Sequence, residues 1–445
     1  MASESVDALD ARARSVLKII FVTLFLDLIG FSIIFPLFPS LLTHYMEVEG
    51  GEGLIGAIVG ALQRITESAG GPTSIGVIVL FGGVLSSVYS LLQFIFSPII
   101  GHLSDRFGRR PILLVSIAGI AISYLIWIFA GRFYLLILAR ILGGIMAANI
   151  STASAVVADI TSPRNRAKGM AIIGMAFGLG FIIGPALGGF AAEVNLLERW
   201  PGLASYGINP FSVPAAIALL LSLANLLFVA TRFTETLPKR RDDKQYVTRS
   251  INPLKLFETR EYPGVAKTAL TNFVFLSSFA GMEFALTFLA MDRLDYGPRE
   301  NAYMFVFIGL TIALVQGGYV RRRSTVIGPQ RMALHGFLCT IPGMFVVAIA
   351  GSSGMLYLGL FLMAVGSAQI IPCLTALASI YAPPEEQGRM LGVFRSLGAL
   401  ARAIGPLVAC VAYWQLGSRN AYFLGAASLV IPLLMAATLP KSEVE

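Results

Sequence analysis

The chain has 445 residues, of which 13% are charged and 56% hydrophobic, with a formal net charge of +8 and a mean hydropathy of +0.77. Soluble domains carry roughly 25% charged residues, so the composition excludes a soluble enzyme, a nucleic-acid-binding protein and a disordered scaffold. Apolar runs of about 20 residues are needed to cross a bilayer as helices, and the apolar content suffices for roughly twelve of them.

A polar tail, 1–17, comes first. It lacks the features of a signal peptide, and the apolar run behind it is too long for a signal-peptide core. Spans are predicted at 18–43, 75–100, 111–130, 133–158, 169–192 and 211–232. The stretch 44–74 is too polar to cross, and its segment Leu54–Leu62 reads as an amphipathic helix on the outer surface. A mixed-charge segment, 235–267, reads as a linker on the cytosolic surface. Six more spans follow at 268–290, 302–320, 332–350, 354–380, 389–413 and 420–439, before a short tail, 441–445. The fold class is thus an all-α membrane protein. Twelve transmembrane helices form two pseudo-symmetric six-helix bundles, 18–234 and 268–440.

Orientation follows from the cations. With twelve alternating spans, 24 Lys and Arg fall on the side of both termini, six on the other side and three inside spans. The positive-inside rule therefore puts both termini in the cytosol. The net charge becomes a statement about topology rather than a nucleic-acid footprint.

The halves repeat. Gly184-Pro185 matches Gly405-Pro406 at an offset of 221, and Gly144 matches Gly366 at 222. Arg106, Arg109 and Arg110 after span 2 are set against Arg321, Arg322 and Arg323 after span 8. In the first spans Asp27-x-x-Gly30 lines up with Ser278-x-x-Gly281 at 251. Such parallel repeats place a binding site between the halves near the membrane midplane.

Cys339, Cys373 and Cys410 lie in predicted spans, and the histidines are scattered. Neither pattern implies a metal centre or a cofactor, and no nucleophile motif suggests an enzyme.

Five charges fall inside spans: Asp27, Arg140, Glu283, Arg395 and Arg402. Each costs about 2.5–3.5 kcal/mol on insertion scales if it faces lipid at the bilayer centre, so they should face a cavity or one another. Asp27 and Glu283 are candidates for proton coupling, against the alternative of fixed ion pairs. Arg395 and Arg402, seven apart, share one helix face. Three guanidiniums against two carboxylates leave a positive charge over, which favours an anionic group on the substrate. The alternatives are that Arg402 caps carbonyls at the Gly405-Pro406 break and that Arg395 snorkels to the surface. Tyr89, Gln93 and Asn149 are further candidates to line the cavity.

The loop after span 2 reads Gly101-x-Leu103-x-Asp105-Arg106-x-Gly108-Arg109-Arg110. Gly101 and Gly108 are expected to let it turn tightly, and Asp105 to accept bonds from Arg106 or Arg109. Span 5 holds Gly180-x3-Gly184-Pro185-x2-Gly188-Gly189, with Ala171 where one more glycine would stand. Span 4 has Arg140-x3-Gly144, and span 1 has Asp27-x2-Gly30 followed by Pro36-x2-Pro39. On these residues the chain resembles the major facilitator superfamily, and within it the drug:proton antiporter group. The segments Arg395–Pro406, Phe279–Glu283 and Phe307–Thr311 resemble its animal tetracycline-transporter-like branch. The resemblance implies a monomeric secondary transporter in a plasma or internal membrane, exporting organic anions or drugs in exchange for protons by alternating access. It also implies that loop 101–110 is a cytosolic latch and span 5 an antiporter helix. Uncoupled uniport remains an alternative, and a non-transporting receptor or scaffold a more distant one.

Overall fold

The computed structural model describes residues 11–49, 53–68, 74–161, 163–237, 262–382 and 387–440. The tails 1–10 and 441–445, and most of the expected linker, lie outside them. Within them the chain is helical throughout its apolar runs, because a backbone in lipid must satisfy its own polar groups.

The first half contains α1 (Ala11–Ser32), α2 (Phe38–Glu49), α3 (Gly53–Ser68), α4 (Ser74–Phe107), α5 (Arg109–Ile128), α6 (Phe133–Met146), α7 (Asn149–Ile160), α8 (Pro163–Ala191), the short α9 (Leu196–Arg199) and α10 (Ser212–Arg232). The second contains α11 (Pro263–Leu294), α12 (Pro298–Leu314), α13 (Arg321–Ile327), α14 (Pro329–Ile349), α15 (Ser353–Ile380), α16 (Gln387–Ser428) and α17 (Val430–Ala437). Eleven stretches among the described residues are long and apolar enough to cross a membrane. The last, Met390–Ala437, has 48 residues, roughly 70 Å of helix against a core of about 30 Å. It breaks at Gly417 (φ 76°, ψ 166°), which divides it into spans 11 and 12 and gives twelve crossings in two bundles of six.

Two spans are interrupted where the sequence anticipates proline or polar residues. Span 1 is α1 and α2, separated by a 3-10 turn at Phe35–Leu37 that contains Pro36. Span 4 is α6 and α7, broken at Ala147 and Ala148 just before Asn149. Spans 2 and 8 carry distortions 220 residues apart, Pro98 inside α4 and a π-helical segment at Val315–Val320 that includes Gly318. The expected surface helix at 54–62 lies within α3, and α11 starts at Pro263, ahead of the predicted 268.

Glycines set the closest helix contacts. A Cβ on Gly184 would sit 1.9 Å from Ser32 Oγ, and one on Gly188 would sit 1.9 Å from the Ile33 carbonyl oxygen. Spans 1 and 5 therefore touch backbone to backbone. Spans 7 and 11 do the same, with a Cβ on Gly405 falling 2.4 Å from the Ser277 carbonyl oxygen. The halves join through span 5 against span 8 and span 2 against span 11. A Cβ on Gly189 would lie 2.4 Å from that of Ala302, and one on Gly83 would lie 2.7 Å from that of Cys410.

The repeat offset is not uniform. Gly108 (φ 104°) and Gly328 (φ 83°) occupy the same inter-helix turn in the two halves, 220 apart. Arg110 then corresponds to Gln330, and Arg321–Arg323 lie before the turn rather than after it. The expected match of the arginine triplets is therefore incorrect. Gly144 and Gly366 are not equivalent in packing either. Gly144 faces the Tyr89 carbonyl of span 2, and Gly366 the Gly336 carbonyl of span 9.

Candidate functional site between the halves

Asp27 sits in the last third of α1, five residues before its end, at the inner edge of the first bundle. Asn149 Nδ2 donates to Asp27 Oδ2 at 2.7 Å, and Asn225 Nδ2 donates to Asp27 Oδ1 at 2.8 Å. The carboxylate is thus held by two amides, one from span 4 and one from span 6. Asn149 occupies the first turn of α7 because span 4 breaks just before it. Gln93 Nε2 donates to the Ala147 carbonyl at that break, at 3.0 Å.

Asp27, Asn149, Gln93 and Tyr89 line one cavity, and Arg402 enters it from span 11 of the other half. Aromatic rings complete the walls, notably Phe31, Tyr124, Phe177 and Phe181. The Arg402 guanidinium lies 5.5 Å from the centroid of the Phe177 ring. Among the described residues it forms no ion pair or hydrogen bond, so it does not cap carbonyls at Gly405-Pro406. Arg395, seven residues earlier on the same helix, donates from Nη1 to Ser154 Oγ of span 4 at 3.4 Å. Both arginines therefore reach across from the second half to the first.

Arg140 is 6% exposed and packs on aromatic faces, 4.3 Å from the Tyr89 ring centroid and 6.0 Å from that of Phe31. Its Nε has no partner. The attraction of a guanidinium to a ring face offsets part of the cost of burying it. Of the two arrangements expected for the span charges, Asp27 and Arg402 take the cavity, and fixed ion pairs between the five are not seen among the described residues. Asp27 is bound by amides, Arg140 and Arg402 rest on rings, and Glu283 makes no hydrogen bond or ion pair among the described residues. Arg402 is the charge acting on Glu283. Glu283 does not line the cavity that holds Asp27.

The turn after span 2 is a network of ions. Arg109 Nη1 lies 2.5 Å from Asp105, and its Nε lies 2.9 Å from Asp159 at the end of span 4. Arg109 Nη1 also donates to Ser104 Oγ at 2.7 Å. Arg106 stacks on Phe107 instead, at 5.2 Å. Of the two glycines expected to form the turn, only Gly108 does so, through its positive φ. Gly101 lies inside α4, where a Cβ would meet nothing closer than 3.6 Å.

Glu235, just beyond span 6, binds this network from outside. Its Oε1 accepts from the Arg109 N–H at 3.0 Å, and its Oε2 from the Arg110 N–H at 3.1 Å. Burial alone would raise its pKa, but the N–H groups of Leu237, Arg110, Arg109 and Thr236 outweigh that and hold it below the usual carboxylate range. A Cβ at position 108 would also lie 2.7 Å from Glu235 Oε2, so a side chain there would push that carboxylate off the network.

In span 5 the glycine motif divides its work. Gly180, Gly184 and Gly188 face span 1, while Gly189 faces span 8. Pro185 lies inside α8 without interrupting it.

Sequence reading missed Asn225, Asp159 and Glu235. An asparagine inside an apolar run is the signal that marks Asn225. Glu235 carried none, because it reads as the start of a linker.

The fold, with a cavity walled by the first bundle and entered by Arg402 of the second, defines a multi-pass membrane protein of the transporter class. The Major Facilitator Superfamily profile matches residues 20–406, and the chain belongs to that superfamily. It is 37% identical over 449 residues to major facilitator superfamily domain-containing protein 10 of Bos taurus, covering 95% of this chain and 92% of the relative. It is 30% identical over 400 residues to the class B tetracycline resistance protein of Escherichia coli, covering 89% and 88% respectively. The crystal structure of the human organic anion transporter MFSD10 (TETRAN) superposes with a TM-score of 0.76 at 32% identity, covering 96% of this chain and 100% of that one.

Proposed function

We propose that the protein exports small organic anions by alternating access, in exchange for protons, as a monomer with both termini in the cytosol of a plasma or internal membrane. The observation that carries this reading is the cavity shared by Asp27 and Arg402, one charge from each half. Arg402 makes no ion pair among the described residues, so it offers bidentate hydrogen bonds to a carboxylate or sulfonate. Asp27 is a carboxylate on the opposite wall, held ready but not neutralised by a cation. Exchange requires the two occupancies to alternate, the anion on Arg402 with Asp27 ionised in one crossing and the proton on Asp27 with Arg402 free in the return. The charges are thus coupled through one space. The similarity to the human organic anion transporter MFSD10 supports this substrate class, and that to the class B tetracycline resistance protein supports export of small organic molecules.

Under this reading the latch network around Asp105 and Arg109 faces the cytosol, and the Gly188-Gly189 seam seals the outer end. Glu283 is a second protonation candidate, acting on Arg402 from the same half.

The test is flux of an aromatic carboxylate in proteoliposomes with and without an imposed pH gradient. Wild-type flux is expected to follow the gradient, and Asp27→Asn to abolish that dependence. Gradient-independent flux in the wild type would replace exchange with uniport. Full gradient dependence in Asp27→Asn would remove Asp27 from coupling and leave Glu283.

A further inference from the structure

Asn225 is fully buried in span 6. Its Nδ2 has two acceptors, Asp27 Oδ1 at 2.8 Å and the Thr23 carbonyl at 3.0 Å. Its Oδ1 is buried and accepts no hydrogen bond. An orphaned buried carbonyl costs roughly 1–3 kcal/mol, and one next to a buried carboxylate calls for an explanation.

The chemistry of the pair suggests that work. An ionised carboxylate only accepts, whereas a protonated one must also donate. Asn149 donates to the other oxygen, Oδ2, and serves either state. The proton-bearing Oδ1 would instead face the Asn225 N–H, donor against donor. The orphaned Oδ1 of the same amide is the acceptor it needs. A half-turn of the amide about its Cβ–Cγ bond exchanges the two. The N–H···O⁻ bond becomes O–H···O=C at the cost of the Thr23 bond and of the N–H groups, which turn to where the carbonyl oxygen stood, while the Thr23 carbonyl keeps its place in the helix ladder.

We propose that Asn225 is a two-way positioning residue for Asp27, holding the carboxylate through its N–H and the acid through its carbonyl. This deepens the proton-coupling reading above and rests on it. The ionisable groups facing Asp27 are Tyr89 of span 2, Tyr124 of span 3 and Arg402 of span 11. Arg140 of span 4 lies behind Tyr89. None of them provides the exchange of donor for acceptor that the amide does.

The test is infrared difference spectroscopy of the full chain in lipid nanodiscs, titrated from about pH 4 to pH 9. Asp27→Asn identifies the protonated-carboxyl band of Asp27. In Asn225→Ala the charged form loses a charge-assisted bond and the acid loses a weaker one. The midpoint of that band is therefore expected to rise by about one pH unit. Asn225→Ser keeps a group that both donates and accepts, so its midpoint should lie nearer the wild type. The wild-type spectrum should also carry an asparagine side-chain carbonyl shift that tracks the Asp27 band and vanishes in Asn225→Ala. An unmoved midpoint in Asn225→Ala and Asn225→Ser, whatever their melting temperatures, would make Asn225 a packing residue only and overturn the proposal. A wild-type spectrum with no band that Asp27→Asn removes would instead defeat the coupling role of Asp27 itself.

Discussion

Asp27 and Ser278, on the first spans of the two halves, each bond to the last span of their own bundle. Asp27 Oδ1 accepts from Asn225 of span 6 at 2.8 Å, and Ser278 Oγ lies 2.6 Å from Ser428 Oγ of span 12. The architecture is symmetric, but the chemistry is not. Between its first and last spans one half uses a carboxylate and the other a neutral hydroxyl pair. Ser278→Ala should therefore leave the pH dependence of transport unchanged. It should cost about 1 kcal/mol of stability, the usual net worth of a hydrogen bond. Parallel flux and thermal-unfolding measurements on Ser278→Ala and Asp27→Asn separate the two roles. A shifted pH profile in Ser278→Ala would place coupling in both halves.

In the proposed function, the anion preference rests on Arg402. Arg402→Ala is expected to raise KM for an organic carboxylate at least tenfold, since truncating one partner of a buried, hydrogen-bonded charge pair costs about 2 kcal/mol or more. Arg402→Lys should recover only part of it, because an ammonium lacks the planar fork. A neutral analogue of the same size should be affected little. Equal KM values for the anion in wild type and Arg402→Ala would move the anion site elsewhere, with Arg395 the next candidate.

The twelve spans, the two-bundle architecture and the in-span charges were legible in the sequence, because lipid forces helices and makes charge conspicuous. The contacts of those charges were not. Asp27 meets Asn149 and Asn225 across 122 and 198 residues, and local spacing carries no trace of that. The same holds for Glu235, whose partners lie 126 and 125 residues back. The repeat misled where it was anchored on arginines. Surface cations satisfy the positive-inside rule without fixed positions, whereas Gly108 and Gly328 are fixed by a positive φ. Arg110 Nη2 donates to the Ala230 carbonyl at 2.7 Å and Gln330 Nε2 to that of Ala436 at 3.0 Å. The same task at the end of spans 6 and 12 is done by different residue types.

Glycine packing gives a sharp contrast. Gly188→Ala should destabilise the protein by about 1–3 kcal/mol, the usual cost of overpacking, since its Cβ would fall 1.9 Å from the Ile33 carbonyl oxygen. Gly178→Ala, ten residues away on the same helix, meets nothing within 4 Å and should be neutral or slightly stabilising. Thermal unfolding of the purified variants in detergent checks both. Equal melting temperatures would show that spans 1 and 5 can part without cost.

Glu235 yields a pH prediction with a definite sign. Its folded pKa is lowered, so its stabilisation is complete above the unfolded value of about 4.3 and fades as pH falls through the lower folded value. Glu235→Gln should lower the melting temperature near pH 7 by the equivalent of about 1 kcal/mol, the usual worth of a helix cap. The gap from wild type should close as pH drops below about 4. A gap that persists in acid would mean the side chain acts by shape rather than charge.

The face opposite the chain ends carries an ion pair that bridges the halves, Arg299 Nε to Glu193 at 3.1 Å with side chains 55% and 44% exposed. Beside it Asn301 Nδ2 donates to the Pro36 carbonyl at 3.3 Å. An exposed pair is worth roughly 0–1 kcal/mol, too little to staple the bundles together. Glu193→Gln should accordingly leave the melting temperature nearly unchanged. Alternating access nevertheless requires these two helix ends to separate in each cycle. Joining the two introduced thiols of a Glu193→Cys/Arg299→Cys variant with a short reducible bifunctional thiosulfonate should stop flux, and reduction should restore it. Glu193→Cys alone and Arg299→Cys alone, treated identically, should keep transporting. Undiminished flux in the cross-linked protein would mean that this seam stays shut throughout the cycle, and that substrate leaves by another route.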